Sequence, residues 1–268
     1  MNSMSESDPE DKKFRKLRIF NVVMGFLHLV QGALMLVLAN AATLPVQTNF
    51  LGFDPAQGGL YKVTNTIIDL RLGPLVATFL FVSMIAHFAV SSPRGYEWYV
   101  RNLKRGINYA RWYEYAVSSS IMVVVIAMLC GIYELSSLIL IFALNATMIL
   151  FGLIMELHNQ TTRKTDWTSY VFGCFAGLLV WVVLGIYFFG SVSLAGKDFP
   201  PFVIFIFVSL AAFFNIFAVN MFLQYRAKGR WKDYLFGERV YILLSLTSKS
   251  ALAWQVFAGT LQGPVSGA

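Results

Sequence analysis

Two residues in this 268-residue sequence could do chemistry because of where they sit: Lys249 and Glu114 each interrupt a long apolar run. A charge near the centre of a bilayer costs on the order of 3 kcal/mol on insertion scales, so each needs a partner or a task. One reading is a structural ion pair, since buried charges are normally paired whatever the function. The other is that a desolvated lysine amine forms a Schiff base with an aldehyde, which then needs a carboxylate counterion. Ser245 precedes Lys249 by one helical turn and shares its face, where it hydrogen-bonds the amine or serves as packing glue. Around Glu114, the residues Asn108, Arg111, Tyr115, Ser118 and Ser119 recur at helical spacing and form a polar stripe directed at a bundle interior. His28 with Gln31, and Ser83 with His87, make two further polar pairs. Each histidine is either a hydrogen-bonded packing residue or part of a proton-accepting cluster beside the carboxylate. His158 has no Cys or carboxylate ligand pattern around it, so no metal site is expected.

The elements that must position these groups are membrane spans. Apolar residues make up 57% of the sequence and charged residues only 13%, a balance foreign to soluble domains of this length. Crossing a hydrocarbon core takes roughly 20 apolar residues. Runs of that kind cover Ile19–Asn40, Leu72–Val90, Ile107–Tyr133, Leu135–Leu157, Tyr170–Leu194, Pro201–Gln224 and Arg239–Leu261, giving an all-α bundle of seven transmembrane helices. On these bounds Lys249 lies about ten residues, roughly 15 Å, into the last span, and Glu114 about seven residues, roughly 10 Å, into the third. The domain reading is a polar segment 1–18, a membrane domain 19–261 and a short tail 262–268. The connection between the first two spans is long, and alternation in Leu60-Tyr61-Lys62-Val63 suggests a short hairpin there. Cys130 and Cys174 fall inside apolar runs and read as small hydrophobes.

Orientation follows from Lys and Arg. One side collects Lys12, Lys13, Arg15, Lys16 and Arg18, then Arg94, Arg101, Lys104 and Arg105, then Arg163 and Lys164, and finally Arg226, Lys228, Arg230, Lys232 and Arg239; the other has only Lys62, Arg71 and Lys197. The positive-inside rule puts the N-terminus in the cytoplasm and the C-terminus and long first loop outside. This distribution explains the net charge of +7 without nucleic acid. Phe202, Phe205, Phe207, Phe213, Phe214 and Phe217 crowd the sixth span, with Trp181 and Trp254 on its neighbours, enough aromatic wall for a flat conjugated ligand.

Seven spans with a lysine midway along the last resemble a retinal-binding rhodopsin, and the detail resembles the heliorhodopsin family. The resemblance rests on the inverted orientation, the run Ser245-Leu246-Thr247-Ser248-Lys249-Ser250-Ala251-Leu252-Ala253-Trp254-Gln255, the run Arg111-Trp112-Tyr113-Glu114-Tyr115, and the long first loop. It implies that Lys249 carries all-trans retinal as a protonated Schiff base, with Glu114 as its only carboxylate counterion and Ser83, Ser119 and Ser245 hydrogen-bonding around the pair. His28 and His87 would belong to a cytoplasmic-side polar cavity that receives the Schiff-base proton, joined by Asn108, Gln31 and Arg111. The first loop would contribute to a homodimer.

Proton-pumping microbial rhodopsins carry a second acid one turn before the lysine, where this chain has Ser245, and many carry a proton donor further along the third helix, where it has Val123-Val124-Val125-Ile126-Ala127. The expected function is therefore a plasma-membrane photosensor with a photocycle and no net ion pumping, not an enzyme, acting through a cytoplasmic signalling partner and surrounded by membrane lipid. The alternatives are a light-driven or light-gated ion transporter, and a retinal-free scaffold held by the Lys249–Glu114 pair.

Overall fold

The computed structural model describes residues 9–56 and 58–261; the expected tail 262–268 and the first eight residues of the polar N-terminal segment lie outside the described residues. Seven of the described helices are long and apolar enough to cross a membrane. In chain order the elements are α1 (Pro9–Leu38), β1 (Thr43–Asp54), β2 (Gly59–Arg71), α2 (Leu72–Ser91), α3 (Pro93–Leu103), α4 (Tyr109–Leu129), α5 (Leu135–His158), α6 (Thr168–Ala195), α7 (Pro201–Tyr225) and α8 (Tyr234–Leu261). All of these helices but α3 are spans.

The largest departures from the apolar runs are two helix starts and one added helix, each with a local reason. Helix α1 begins ahead of its apolar run because its buried stripe continues upstream: Phe14, Leu17, Asn21, Met24 and His28 recur every three or four residues and are all buried. Phe14 and Leu17 pack with Tyr99 and Leu103 of α3 and with Leu235 of α8. Helix α3 lies in what read as a basic loop; Ser92 accepts from Gly95 N at 3.2 Å and Pro93 follows it, a start signal inside a polar stretch. Helix α8 starts at Tyr234, ahead of the expected Arg239, so Lys249 lies about fifteen residues, roughly 22 Å, along it.

The first connection is almost wholly a two-stranded antiparallel hairpin, longer than the short one expected. It runs from Thr43↔Arg71 to Asp54↔Gly59 with a bulge after Val46. Its tip turns through Gly58 at φ +64°, a left-handed conformation that suits glycine. Gln47 N donates to Tyr133 O at 2.8 Å and Asn49 Nδ2 to Glu134, which ties the hairpin to the α4–α5 connection. Just past α4, burial pushes the Cys130 thiol up to about 11, in keeping with a protonated packing residue.

Helix α4 is the most enclosed span and touches α2 and α5 extensively. Helices α1 and α2 approach closely because a Cβ at Gly25 would meet the Phe88 ring at 2.8 Å and one at Gly32 the Phe81 ring at 2.7 Å. Gly173 and Gly177 of α6 likewise admit α5, where Met148 packs against them.

Candidate functional site

Lys249 points from α8 into the bundle, its side chain 3% exposed. Its Nζ donates to Ser245 Oγ at 2.7 Å, one turn earlier on the same helix, and lies 3.2 Å from Glu114 Oε1 on α4. Ser83 of α2 donates to the same Glu114 oxygen at 2.6 Å. The amine also stands 5.0 Å above the Tyr115 ring, whose hydroxyl donates to Tyr241 O at 2.8 Å and so locks α4 to α8. This neutral pair, with two serines supplying directional hydrogen bonds, is a satisfied buried ion pair.

On one side of the pair opens a cavity of about 360 Å³ bounded by α4, α5, α6, α7 and α8, with Lys249 on its wall. Trp112, Tyr115, Trp181, Phe214, Phe217 and Tyr241 line it with flat aromatic faces. The Trp181 ring packs edge-on against Phe207 and Phe214. A mostly apolar cleft of this size with one reactive amine fits a conjugated aldehyde of retinal's size and shape.

On another side a smaller cavity of about 40 Å³ is lined by Glu114, Ser245, His87, Asn21, Asn108, Arg111 and Glu238 among others. His87 Nδ1 shares a 2.8 Å hydrogen bond with Asn21 Oδ1, and its ring stacks on His28 with centroids 5.5 Å apart. Both ring nitrogens of His28 are buried without a protein hydrogen-bond partner. The close α1–α2 approach holds the two imidazoles together.

The remaining expected site residues divide. Ser119 lines the large cavity with Lys249, but its hydroxyl donates to Tyr115 O at 2.6 Å and accepts from Asn145 Nδ2 at 2.8 Å, so its hydrogen bonds do not go to the pair. Gln31 is not brought to the cluster: it is half-buried, donates to Leu27 O at 3.4 Å and accepts from Trp254 Nε1 at 3.2 Å. Asn108 and Arg111 do line the small cavity, but their partners are two acids absent from the sequence expectation, Glu156 and Glu238. Arg111 bridges both carboxylates with its guanidinium 4.4 Å from the Trp112 ring and 4.0 Å from the Tyr241 ring. Glu114 is therefore one of three buried intramembrane carboxylates among the described residues. The signal that could have found the other two is Arg111 itself, because a guanidinium on the interior stripe of a span cannot shed its charge and demands anions. Glu156 was available in the last turns of the fourth span, and Glu238 stood one residue before the expected start of the seventh. Within the described residues no group of His, Cys, Asp and Glu could hold a metal ion.

A seven-helix bundle that aims a buried lysine of its last helix into an aromatic cavity has the architecture of a rhodopsin. Solved structures agree on the fold. The chain is similar to the transmembrane domain and linker region of the Salpingoeca rosetta rhodopsin phosphodiesterase, with 15% identity, a TM-score of 0.63 and coverage of 95% of this chain and 75% of that one. It is also similar to a light-driven proton pump from Leptosphaeria maculans, with 13% identity, a TM-score of 0.60 and coverage of 89% and 95%. No curated protein matches the sequence. The heliorhodopsin family model matches residues 17–261, and the chain belongs to that family. It is thus a multi-pass membrane protein and a retinal-binding photoreceptor.

Proposed function

We infer that the chain is a light sensor that holds all-trans retinal at Lys249 and moves no net ion. The observation that carries this reading is the placement of Lys249 Nζ on the wall of the aromatic cavity, 3.2 Å from Glu114. Retinal, bonded through its aldehyde carbon to Nζ, supplies visible absorption and a light-driven change of shape. Glu114 balances the positive charge at Nζ, while Ser83 and Ser245 orient that carboxylate and the nitrogen by the hydrogen bonds they already make. Trp112, Tyr115, Trp181 and Phe214 confine the ligand to an extended form and exclude water. A proton leaving Nζ meets acceptors toward the small cavity, where His87 stands with His28 stacked behind it. Ser119 bounds the large cavity from α4.

Absence of transport is supported by the other end of α4, where Val123, Val125, Ile126 and Ala127 are buried and apolar, so no side chain there can relay a proton. The basic bias of the loops supports a plasma-membrane topology with the N-terminus and the histidine side cytoplasmic. The hairpin's exposed Leu51, Phe53 and Leu60 support a homodimer through the face they share, and the basic cytoplasmic loops suit anionic lipid or a signalling partner. The chain's likeness to a rhodopsin phosphodiesterase concerns the fold of the transmembrane domain alone.

The test is addition of all-trans retinal to the purified protein. A visible absorption band that Lys249→Ala abolishes is expected; no band, or one that survives the substitution, overturns the reading. The fold shared with a light-driven proton pump favours a second reading, ion transport. Reproducible photocurrents from cells expressing the protein with retinal would establish that reading in place of the sensor.

A further inference from the structure

Arg111 carries one positive charge and touches two carboxylates, Glu156 and Glu238, on side chains 4%, 2% and 0% exposed. Lys249 and Glu114 already balance each other. If both acids at Arg111 were ionised, the bundle would bury one uncompensated negative charge, a state that proteins avoid by protonating one of the pair. Hydrogen bonding decides which one. Glu156 accepts from four donors: Arg111 and the Tyr234 hydroxyl on one oxygen, Asn108 N at 2.9 Å and Trp112 Nε1 at 2.6 Å on the other. Glu238 accepts from two, Arg111 and Asn108 Nδ2. Four donors stabilise the Glu156 anion more than two stabilise that of Glu238. Glu238 also lines the small cavity that reaches Glu114, Ser245 and His87, and that cavity has room for about one to three waters.

We propose that Glu238 holds an exchangeable proton in the dark and serves as the proton reservoir of the Lys249–Glu114 centre. The groups that set its state are Arg111 and Glu114 on α4, Glu156 on α5, His87 on α2, Tyr99 on α3, Tyr225 on α7, and Tyr234 and Tyr241 on its own helix. When a proton arrives at the His87 imidazole, the new cation across the cavity favours ionisation of Glu238, whose O–H proton passes to cavity water and leaves a carboxylate paired with Arg111. Return of the proton to Glu238 restores neutrality. Donation to cavity water and recovery both occur on one side of the pair, so no net transport results. This coupling to light rests on the sensor reading, whereas the dark proton on Glu238 does not.

Infrared spectroscopy of the retinal-free protein in lipid nanodiscs separates the two. At neutral pH a protonated-carboxyl C=O band that shifts in D₂O is expected. It should persist in Glu114→Gln and vanish in Glu238→Gln. It should vanish also in Glu156→Gln, which leaves Arg111 and Glu238 as a balanced pair. Because removal of either acid leaves a balanced pair, Glu238→Asp should shift the band and Glu156→Asp should leave it in place. No such band in the wild type, one that survives Glu238→Gln or Glu156→Gln, or one that shifts in Glu156→Asp and not in Glu238→Asp, overturns the proposal. With retinal added, light-minus-dark spectra should show loss of the same band in the wild type and no such loss in Glu238→Gln. A light-responsive protein whose carboxyl band stays constant would overturn the reservoir role, and failure of retinal to give any visible band would defeat the sensor reading while leaving the dark band as found.

Discussion

The bundle buries two ionic centres on the same pair of helices, α4 and α8, and they are built on opposite plans. At Lys249 one compact ammonium meets one carboxylate, with Ser83 donating to the carboxylate, Ser245 accepting from the amine and a large aromatic cavity alongside. At Arg111 one planar guanidinium spans two carboxylates between the Trp112 and Tyr241 rings, under a dense set of donors. A guanidinium cannot be deprotonated and its fork is matched to carboxylates, so the Arg111 centre suits permanent clamping of α4, α5 and α8. An amine can give up its proton and form a bond to carbon, so the Lys249 centre suits chemistry. The difference teaches that a charge within a span is not by itself a sign of reactivity; the number of partners and the space beside it decide.

That contrast can be broken by removing each cation. Arg111→Gln leaves two buried carboxylates without their shared partner and is expected to cost about 3–5 kcal/mol of stability, read by thermal or denaturant unfolding in detergent. A loss below about 1 kcal/mol would remove the clamp role. The stacked histidines belong to the Lys249 side, and Gly25→Val, which forces Phe88 away and parts α1 from α2, should cost about 1–3 kcal/mol while leaving the Arg111 contacts alone. In the retinal-free protein, Lys249→Met combined with Glu114→Gln removes both charges of the reactive pair and should change stability by less than about 1 kcal/mol, because a buried ion pair contributes little over a well-packed neutral replacement. A large loss would make the pair a structural bridge after all. Glu114→Gln alone, with retinal bound, should move the visible band to longer wavelength or convert it at neutral pH to a short-wavelength deprotonated form, since the cation at Nζ loses its anion. An unchanged spectrum and titration would assign the counterion elsewhere.

Much of this was legible in residue order. The apolar runs place all seven spans, because a bilayer admits few other ways to arrange twenty apolar residues. Lys249, Glu114, Ser83 and Ser245 stand out as polar groups in such runs, and the contacts among them are those of a buried pair. Less legible were elements whose stability comes from partners: α3 and the first turns of α1 are polar in sequence and helical because Phe14, Leu17, Tyr99 and Leu103 find one another. The long hairpin was hidden because its strands expose most of both faces and show little alternation.

Sequence alone determined the solvent, the spans and the one lysine with room for chemistry, since these depend on composition and on spacing along single helices. Only the tertiary structure decided which acid answers which base. Arg111 and Glu114 share a face of α4 at a spacing that would let them pair, yet Arg111 reaches Glu156 and Glu238 on other helices, and Glu114 is left for Lys249. Pairing in a low-dielectric interior is settled by distances across helices, which no local pattern encodes.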